Sequence, residues 1–268
     1  MQRFLVVNQR AGTDSPTPEE LREAAEKRGI TVHFLEEGDD LPEVAREAQA
    51  DVLGMAGGDG SLAAVADVAI EQDVPFVVVP YGTRNHFARD LGLDRDDPIA
   101  ALAAFDDGIE RRVDIGRVGD RLFLNNVSLG LYARLVHRRE HHRRRRDALA
   151  RVRALALTVK DRRRRQRFTI AGRAVRARLV LVGNNDYSLD LLSLGERERL
   201  DEGMLHLYVP HGLRRITWDE RSCTEFEIGS PLPRLRTAID GEPVELDTPL
   251  RFRIEPQALR VLVPRTPE

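Results

Sequence analysis

The chain has 268 residues, 41% of them hydrophobic, a composition that describes a folded protein with a real core rather than a disordered one. Cys223 is the only cysteine, which excludes an internal disulfide and a cysteine-cluster metal site. Net charge is −2 but unevenly placed: Arg134 to Arg167 holds fifteen basic residues against three acids, a net +12.

The elements alternate from the start. Arg3 to Asn8 reads as a strand, with no secretory h-region or cleavage site. Pro18 to Arg28 reads as a helix closed by Gly29, Thr31 to Leu35 as a strand, and Leu41 to Gln49 as a second helix. Asp51 to Met55 is a strand ending in Gly57-Gly58-Asp59-Gly60, and Ser61 is expected to cap a helix reaching about Glu71. Pro75 to Val79 is a further buried strand. The apolar run from Val74 to Tyr81 falls far short of the roughly 20 residues of a membrane span. Alternation at short loop lengths implies an open, parallel α/β sheet over residues 1–114, with ligands beyond the carboxyl ends of its strands.

After about Asp114 short β segments dominate: Arg121 to Leu129, Arg167 to Ile170, Ala177 to Val182, Met204 to Val209, Thr224 to Ile228, Leu235 to Ile239, Leu250 to Ile254 and Leu259 to Val263. They predict an antiparallel, β-sandwich-like domain over residues 115–268. A basic helix at about 132–160 interrupts it.

Two loops fall where the sheet should bind ligands. Gly57 to Ser61 lets the backbone approach a phosphate with no Cβ in the way, and the following helix offers its amides to the anion. Asp59 adds a carboxylate suited to Mg²⁺ or a ribose hydroxyl, and Ser61 a hydroxyl. The run fits neither GxGxxG nor the P-loop pattern, and a plain strand-to-helix turn remains the bland alternative. The second loop, Pro80-Tyr81-Gly82-Thr83-Arg84-Asn85-His86-Phe87-Ala88-Arg89, follows the next strand. Gly82 and Thr83 could complete the cradle, and Arg84 or Arg89 could offset phosphate charge. The bland reading makes Asn85 an N-cap and Phe87 core.

These paired loops resemble the diacylglycerol kinase catalytic family, with its GGDGT run and a PxGTxNDFAR-like loop. The likeness extends to Val7-Asn8-Gln9-Arg10-Ala11-Gly12, Asn126-Val127-Ser128-Leu129-Gly130, Val182-Gly183-Asn184, Leu200-Asp201-Glu202-Gly203-Met204-Leu205 and Asp240-Gly241-Glu242. The resemblance implies an α/β nucleotide-binding domain of NAD kinase/diacylglycerol kinase type, a β-sandwich-like partner domain, and an active site in the cleft between them. It implies that ATP and Mg²⁺ are the cofactors and that a lipid hydroxyl accepts the phosphoryl group. By it, Asn8, Gly57, Gly58, Asp59, Gly60, Ser61, Gly82, Thr83, Asn85 and His86 hold the nucleotide. Asp240 is the base and Glu242 its metal partner, with Asp59 also catalytic. Glu202 matches a structural Mg²⁺ position, with the carbonyls of Arg199 and Met204 beside it. Without the resemblance, Asp240-Gly241 is equally a hairpin turn.

The chain departs from the family at Gln9, at Ala63 and Ala64 in place of Asn-Glu, and at His86 in place of an aspartate. Tyr187-Ser188-Leu189-Asp190 stands where a triple glycine is usual. The alternatives are therefore an NAD kinase-like enzyme and a catalytically weakened nucleotide- or lipid-binding module. The basic stretch 134–167 suits an anionic membrane surface or a solvated helix. It lacks the interleaved aromatics that would favour nucleic acid, and its clustered histidines lack ligand partners at metal-site spacing. The expected setting is cytoplasmic, with peripheral contact at the inner membrane face, and a homodimer is compatible with it.

Overall fold

A computed structural model describes residues 1–12, 16–82, 85–130, 165–188, 196–211 and 217–265. The expected basic helix at 132–160 and nearly all of the charged stretch 134–167 lie outside the described residues, as do Thr83 and Arg84. The chain divides into two compact units. The first holds Met1–Ile115, Ser188–Glu202 and Pro256–Glu268; the second holds Gly116–Tyr187 and Gly203–Glu255. A linear division at residue 114 assigns the two returning segments to the second domain, whereas here they group with the first.

In the first unit the elements run β1 (Arg3–Val7), α1 (Pro18–Glu26), β2 (Thr31–Phe34), α2 (Leu41–Glu47), β3 (Val52–Gly57), α3 (Asp59–Glu71), β4 (Phe76–Pro80), α4 (His86–Asp90), α5 (Pro98–Ala101) and α6 (Ala104–Asp107). β5 (Ile109–Val118) begins here and runs into the second unit. The strands pair in parallel in the order β2-β1-β3-β4. The closing residues of β16 (Leu250–Val263) continue the parallel set through Val261 beside Phe76 and Leu262 beside Val77.

Local chemistry sets the element ends. Thr17 and Glu20 form a reciprocal capping box on α1, with Pro18 at its first position, and the Asp40 side chain accepts the Glu43 amide at the start of α2. β3 and β4 are buried throughout, which is why they read as continuous apolar runs rather than alternating ones. Leu5, Val7, Val52, Ala56, Val77 and Val79 pack with Leu21 and Ala25 of α1 and Phe105 of α6. Gly54 is part of this fit, since a Cβ there would lie 2.4 Å from the Phe105 ring.

The second unit contains β6 (Arg121–Phe123), β7 (Asn126–Gly130), β8 (Gln166–Ile170), β9 (Arg173–Ala177), β10 (Leu179–Asn184), β11 (Leu205–His211), β12 (Thr217–Cys223), β13 (Glu225–Gly229), β14 (Arg234–Ile239) and β15 (Glu242–Asp247). One antiparallel sheet has the order β12-β11-β10-β7-β14-β15. Facing strands β8, β9, β13 and the first part of β16 form a second antiparallel set. Side chains from both, among them Val127, Leu129, Val180, Leu207, Phe168, Ile228 and Phe252, share one core, which is the packing logic of a sandwich.

Several details differ from the sequence expectation. The helix after the glycine run begins at Asp59 with Gly58 at its N-cap, so Ser61 lies inside the first turn instead of capping it. The last two expected strands are one, β16, in which Gln257 takes a positive φ of 51° and donates its amide to Asp114 Oδ1 at 2.7 Å. β5 was not foreseen because its first four residues, Ile109 to Arg112, are exposed and mostly charged. Among the described residues no helix is long and apolar enough to cross a membrane.

Candidate active site

In the first unit the two predicted loops lie against each other. A Cβ on Gly82 would come within 2.8 Å of Gly58 Cα and 3.0 Å of Gly58 N, so only glycine permits this approach. Gly58 itself has open space where a Cβ would point, and no side chain caps α3. The first amides of this 13-residue helix can therefore serve an external acceptor.

Asp59 ties the loops together. It is 7% exposed, and its Oδ2 and Oδ1 accept the amides of His86 and Phe87 at 3.3 and 3.1 Å. The carboxylate of α3 thereby satisfies the start of α4, a task the sequence did not reveal. Asn8, just past β1, donates from Nδ2 to Ser61 Oγ at 3.2 Å, and its own amide binds Ala56 O at 2.9 Å. Asn8, Gly58, Asp59, Ser61, Gly82, Asn85 and His86 are therefore gathered at the carboxyl ends of β1, β3 and β4.

Asn85 precedes α4 but does not cap it with its side chain. It adopts φ 46°, is 1% exposed, and donates from Nδ2 to Gly82 O at 2.7 Å. Its Oδ1 is buried with no hydrogen-bond partner among the described residues. An orphaned buried acceptor is costly unless a donor arrives, and a ribose hydroxyl or a metal-bound water would supply one. Phe87 is fully buried, as the bland reading had it. Tyr81 seals the neighbouring turn, donating to Pro16 O at 3.0 Å, and burial pushes its phenol up so that it stays a donor.

An ion cluster that sequence reasoning missed supports α4 from behind. Arg197 Nε lies 2.7 Å from Asp90 Oδ2, and Arg89 Nη2 lies 2.7 Å from Asp90 Oδ1. The side chains of Arg197 and Asp90 are 0% and 1% exposed. No motif marks this pair, because the two residues are 107 positions apart.

In the second unit Asp240 and Gly241 are the two central residues of the β14–β15 hairpin. Their φ values of 46° and 85° fit a type I′ turn. The Asp240 carboxylate is held inward: Oδ2 accepts the Leu124 amide at 2.8 Å, and Oδ1 accepts those of Asn125 and Asn126 at 2.8 and 2.9 Å. Asp240 thus fastens the β6–β7 turn, while Glu242 opens β15 with an exposed side chain.

Two of the expected Mg²⁺ residues make hydrogen bonds within the protein. Arg199 Nε donates to Asp201 Oδ1 at 3.1 Å, an interaction that raises the guanidinium's proton affinity. Met204 O accepts the Asn185 amide at 3.0 Å, and Glu202 is exposed.

Comparison with known proteins follows the same division. Residues 2–118 match the family described as the diacylglycerol kinase catalytic domain. A diacylglycerol kinase of Bacillus subtilis is 33% identical over 103 residues, covering 37% of this chain and 34% of that protein. One from Staphylococcus epidermidis is 40% identical over 90 residues, 33% of this chain and 28% of that protein. These matches span about a third of the relatives' own length. A crystal structure of a diacylglycerol kinase from Bacillus anthracis superposes with a TM-score of 0.69 over 98% of this chain and 96% of that one, at 17% identity. At that identity the likeness speaks for the two-domain fold. The resemblance read from the paired loops holds: residues 2–118 of this chain are similar to the diacylglycerol kinase catalytic domain family.

Proposed function

We propose that the protein is an ATP- and Mg²⁺-dependent kinase that phosphorylates a hydroxyl group of a lipid of the diacylglycerol class or a related one. The observation that carries this reading is the close apposition of Gly58 and Gly82 at an uncapped helix N-terminus, with Asp59 locking the two loops together. Together with the family match over residues 2–118, that arrangement suits a nucleotide's phosphates.

When bound, ATP supplies the transferable γ-phosphoryl group and Mg²⁺ offsets its charge. The α3 amides and Gly82 would hold the phosphates, Asn8 and Ser61 would fix the floor of the cradle, and Asn85 Oδ1 would accept a hydrogen bond from the nucleotide or its hydrated metal. Thr83, assigned to the same cradle, lies outside the described residues. Asp59, with both oxygens already accepting amides, acts in this reading by positioning the second loop.

Asp240 would take the acceptor hydroxyl's proton. Three amides fix its carboxylate as an acceptor and weaken it as a base, which is tolerable because phosphoryl transfer asks little of the base before the bond to phosphorus forms. Glu242 would be its metal partner. Mg²⁺ is commonly held through one or two carboxylates plus substrate phosphates, and an exposed Glu242 suits that use. Glu202, with Arg199 and Met204, is proposed as a structural Mg²⁺ position. Contact with an anionic membrane through residues 134–167, at the inner face, would bring the enzyme to a substrate that stays in the bilayer.

The test is transfer of radiolabelled γ-phosphate to a panel of lipids in anionic vesicles, with NAD as a competing acceptor. Transfer to a lipid, abolished in Glu242→Gln, is the expected result. Turnover on NAD alone would replace the lipid reading, and nucleotide binding without transfer to any acceptor would favour a binding module, as Ala63, Ala64 and His86 suggest.

A further inference from the structure

A second group of donors lies in the other unit and is unused by the proposed reaction. Asp186, His206 and Glu220 each direct one metal-ligating atom into a volume where all three lie within 4.8 Å of one another. They come from three elements: Asp186 follows β10, His206 is on β11, and Glu220 is on β12.

The sheet register explains the convergence. His206 and Tyr208 alternate along β11 and share a face, and Glu220 is the β12 residue paired with Tyr208. Opposite His206 on β10 stands Gly183, with no side chain to fill the face. Tyr208 is wholly buried, accepts the Tyr187 amide at 2.8 Å, and donates to Asp186 Oδ1 at 2.6 Å. The His206 ring stacks on Tyr208 with centroids 6.1 Å apart, which sets the imidazole plane.

Two carboxylates therefore meet one buried nitrogen. His206 Nδ1 is 3.1 Å from Glu220 Oε1 and 3.5 Å from Asp186 Oδ1, and His206 is 5% exposed. A single proton on Nδ1 can bridge to one carboxylate well but not to both. A divalent ion would answer both. Donors at tetrahedral angles and zinc-like bond lengths stand roughly 3.3 Å apart, and the two measured separations bracket that figure. A hydrogen bond from Tyr208 to the ligating carboxylate is the usual outer support of such a site.

We infer that Asp186, His206 and Glu220 bind a divalent transition cation of the zinc class through one imidazole nitrogen and two carboxylate oxygens. The ion would clamp the residue after β10 to β11 and β12, and three protein ligands leave a fourth position for water. The inference does not depend on the kinase reading.

The full chain, stripped with a chelator, is titrated with Zn²⁺ by calorimetry and with Co²⁺ by visible absorption. Wild type is expected to bind one more Zn²⁺ per chain than His206→Gln, to show a tetrahedral Co²⁺ spectrum, and to gain thermal stability with added ion. Tyr208→Phe should weaken that site about tenfold while leaving it countable. Should His206→Gln fold poorly, Glu220→Gln alters an exposed side chain and is read in the same way. Equal stoichiometry in wild type and both variants would place any binding elsewhere, such as His141 and His142, and would overturn the site. Absence of binding in wild type would show that the cluster is a hydrogen-bonded network without a metal.

Discussion

Arg197 Nε reaches Asp90 Oδ2 at 2.7 Å with both side chains shut off from water, so a residue from the returning segment Ser188–Glu202 fastens the end of α4. Breaking a buried pair costs about 3–5 kcal/mol where the remaining charge loses its compensation. Asp90→Asn takes the carboxylate from the wholly buried Arg197 guanidinium and is expected to lower the urea midpoint sharply, and Arg197→Ala to do so less, since Arg89 still pairs with Asp90. Denaturation curves of the two variants check this, and an unshifted midpoint in Asp90→Asn would show the pair to be idle.

Gly82→Ala places a methyl group 2.8 Å from Gly58 Cα, a backbone atom that cannot swing aside. Overpacking of this kind costs about 1–3 kcal/mol, to be taken up by spreading the two loops. Nucleotide affinity should fall about tenfold or more while the melting temperature moves little. Equilibrium binding of a fluorescent ATP analogue measures it.

Asp59→Ala strips the acceptors from the His86 and Phe87 amides, two buried donors whose loss of partner costs about 1–3 kcal/mol each. Both stability and nucleotide affinity should drop. Asp59→Asn keeps one acceptor and should fall between, as thermal melts with and without ATP would show.

The acidic hairpin separates two roles. Asp240→Asn turns one oxygen into an NH₂ group facing backbone N–H donors, so it should cost stability as well as activity. Glu242→Gln, exposed at the start of β15, should lose activity with the melting temperature unchanged. Paired measurement of turnover and melting distinguishes them; a stable, fully active Glu242→Gln would remove that residue from the chemistry.

A pH dependence follows from β5 and β16. The Arg260 guanidinium donates to both oxygens of Glu110 at 3.1 and 2.9 Å and holds its carboxyl below the usual range. A carboxyl depressed in the folded state adds stability that is present above its unfolded value, near 4.5, and is lost as pH falls through the lower, folded one. Glu110→Gln should therefore lower stability at neutral pH and flatten the acid limb below about pH 4.5, as urea midpoints across pH 3–7 would reveal.

The α/β half was legible because β3 and β4 are unbroken apolar runs bounded by glycine, and because Asp40 and Thr17 announce their helices. The nucleotide loops were legible as glycine spacing. The partners of their side chains were not. Asp59 read as a metal ligand because a carboxylate in a glycine loop gives no sign that two amides 27 and 28 residues later will claim it. The three amides that hold Asp240 were hidden in the same way, lying at least 114 residues away. β12, with Asp219, Glu220 and Arg221 at its centre, lacks the alternation that marks a half-buried strand, which is natural for the edge of a sheet. Glu220 therefore drew no notice.

The return of Ser188–Glu202 and Pro256–Glu268 to the first unit bears on how the protein can be dissected. A fragment ending near residue 118 would keep every glycine of the cradle yet strip β4 of its β16 neighbour in the sheet and leave Asp90 without Arg197. Such a piece should aggregate through the bared strand edge. The first unit is thus an assembly of three stretches of polypeptide, and no single cut releases it intact.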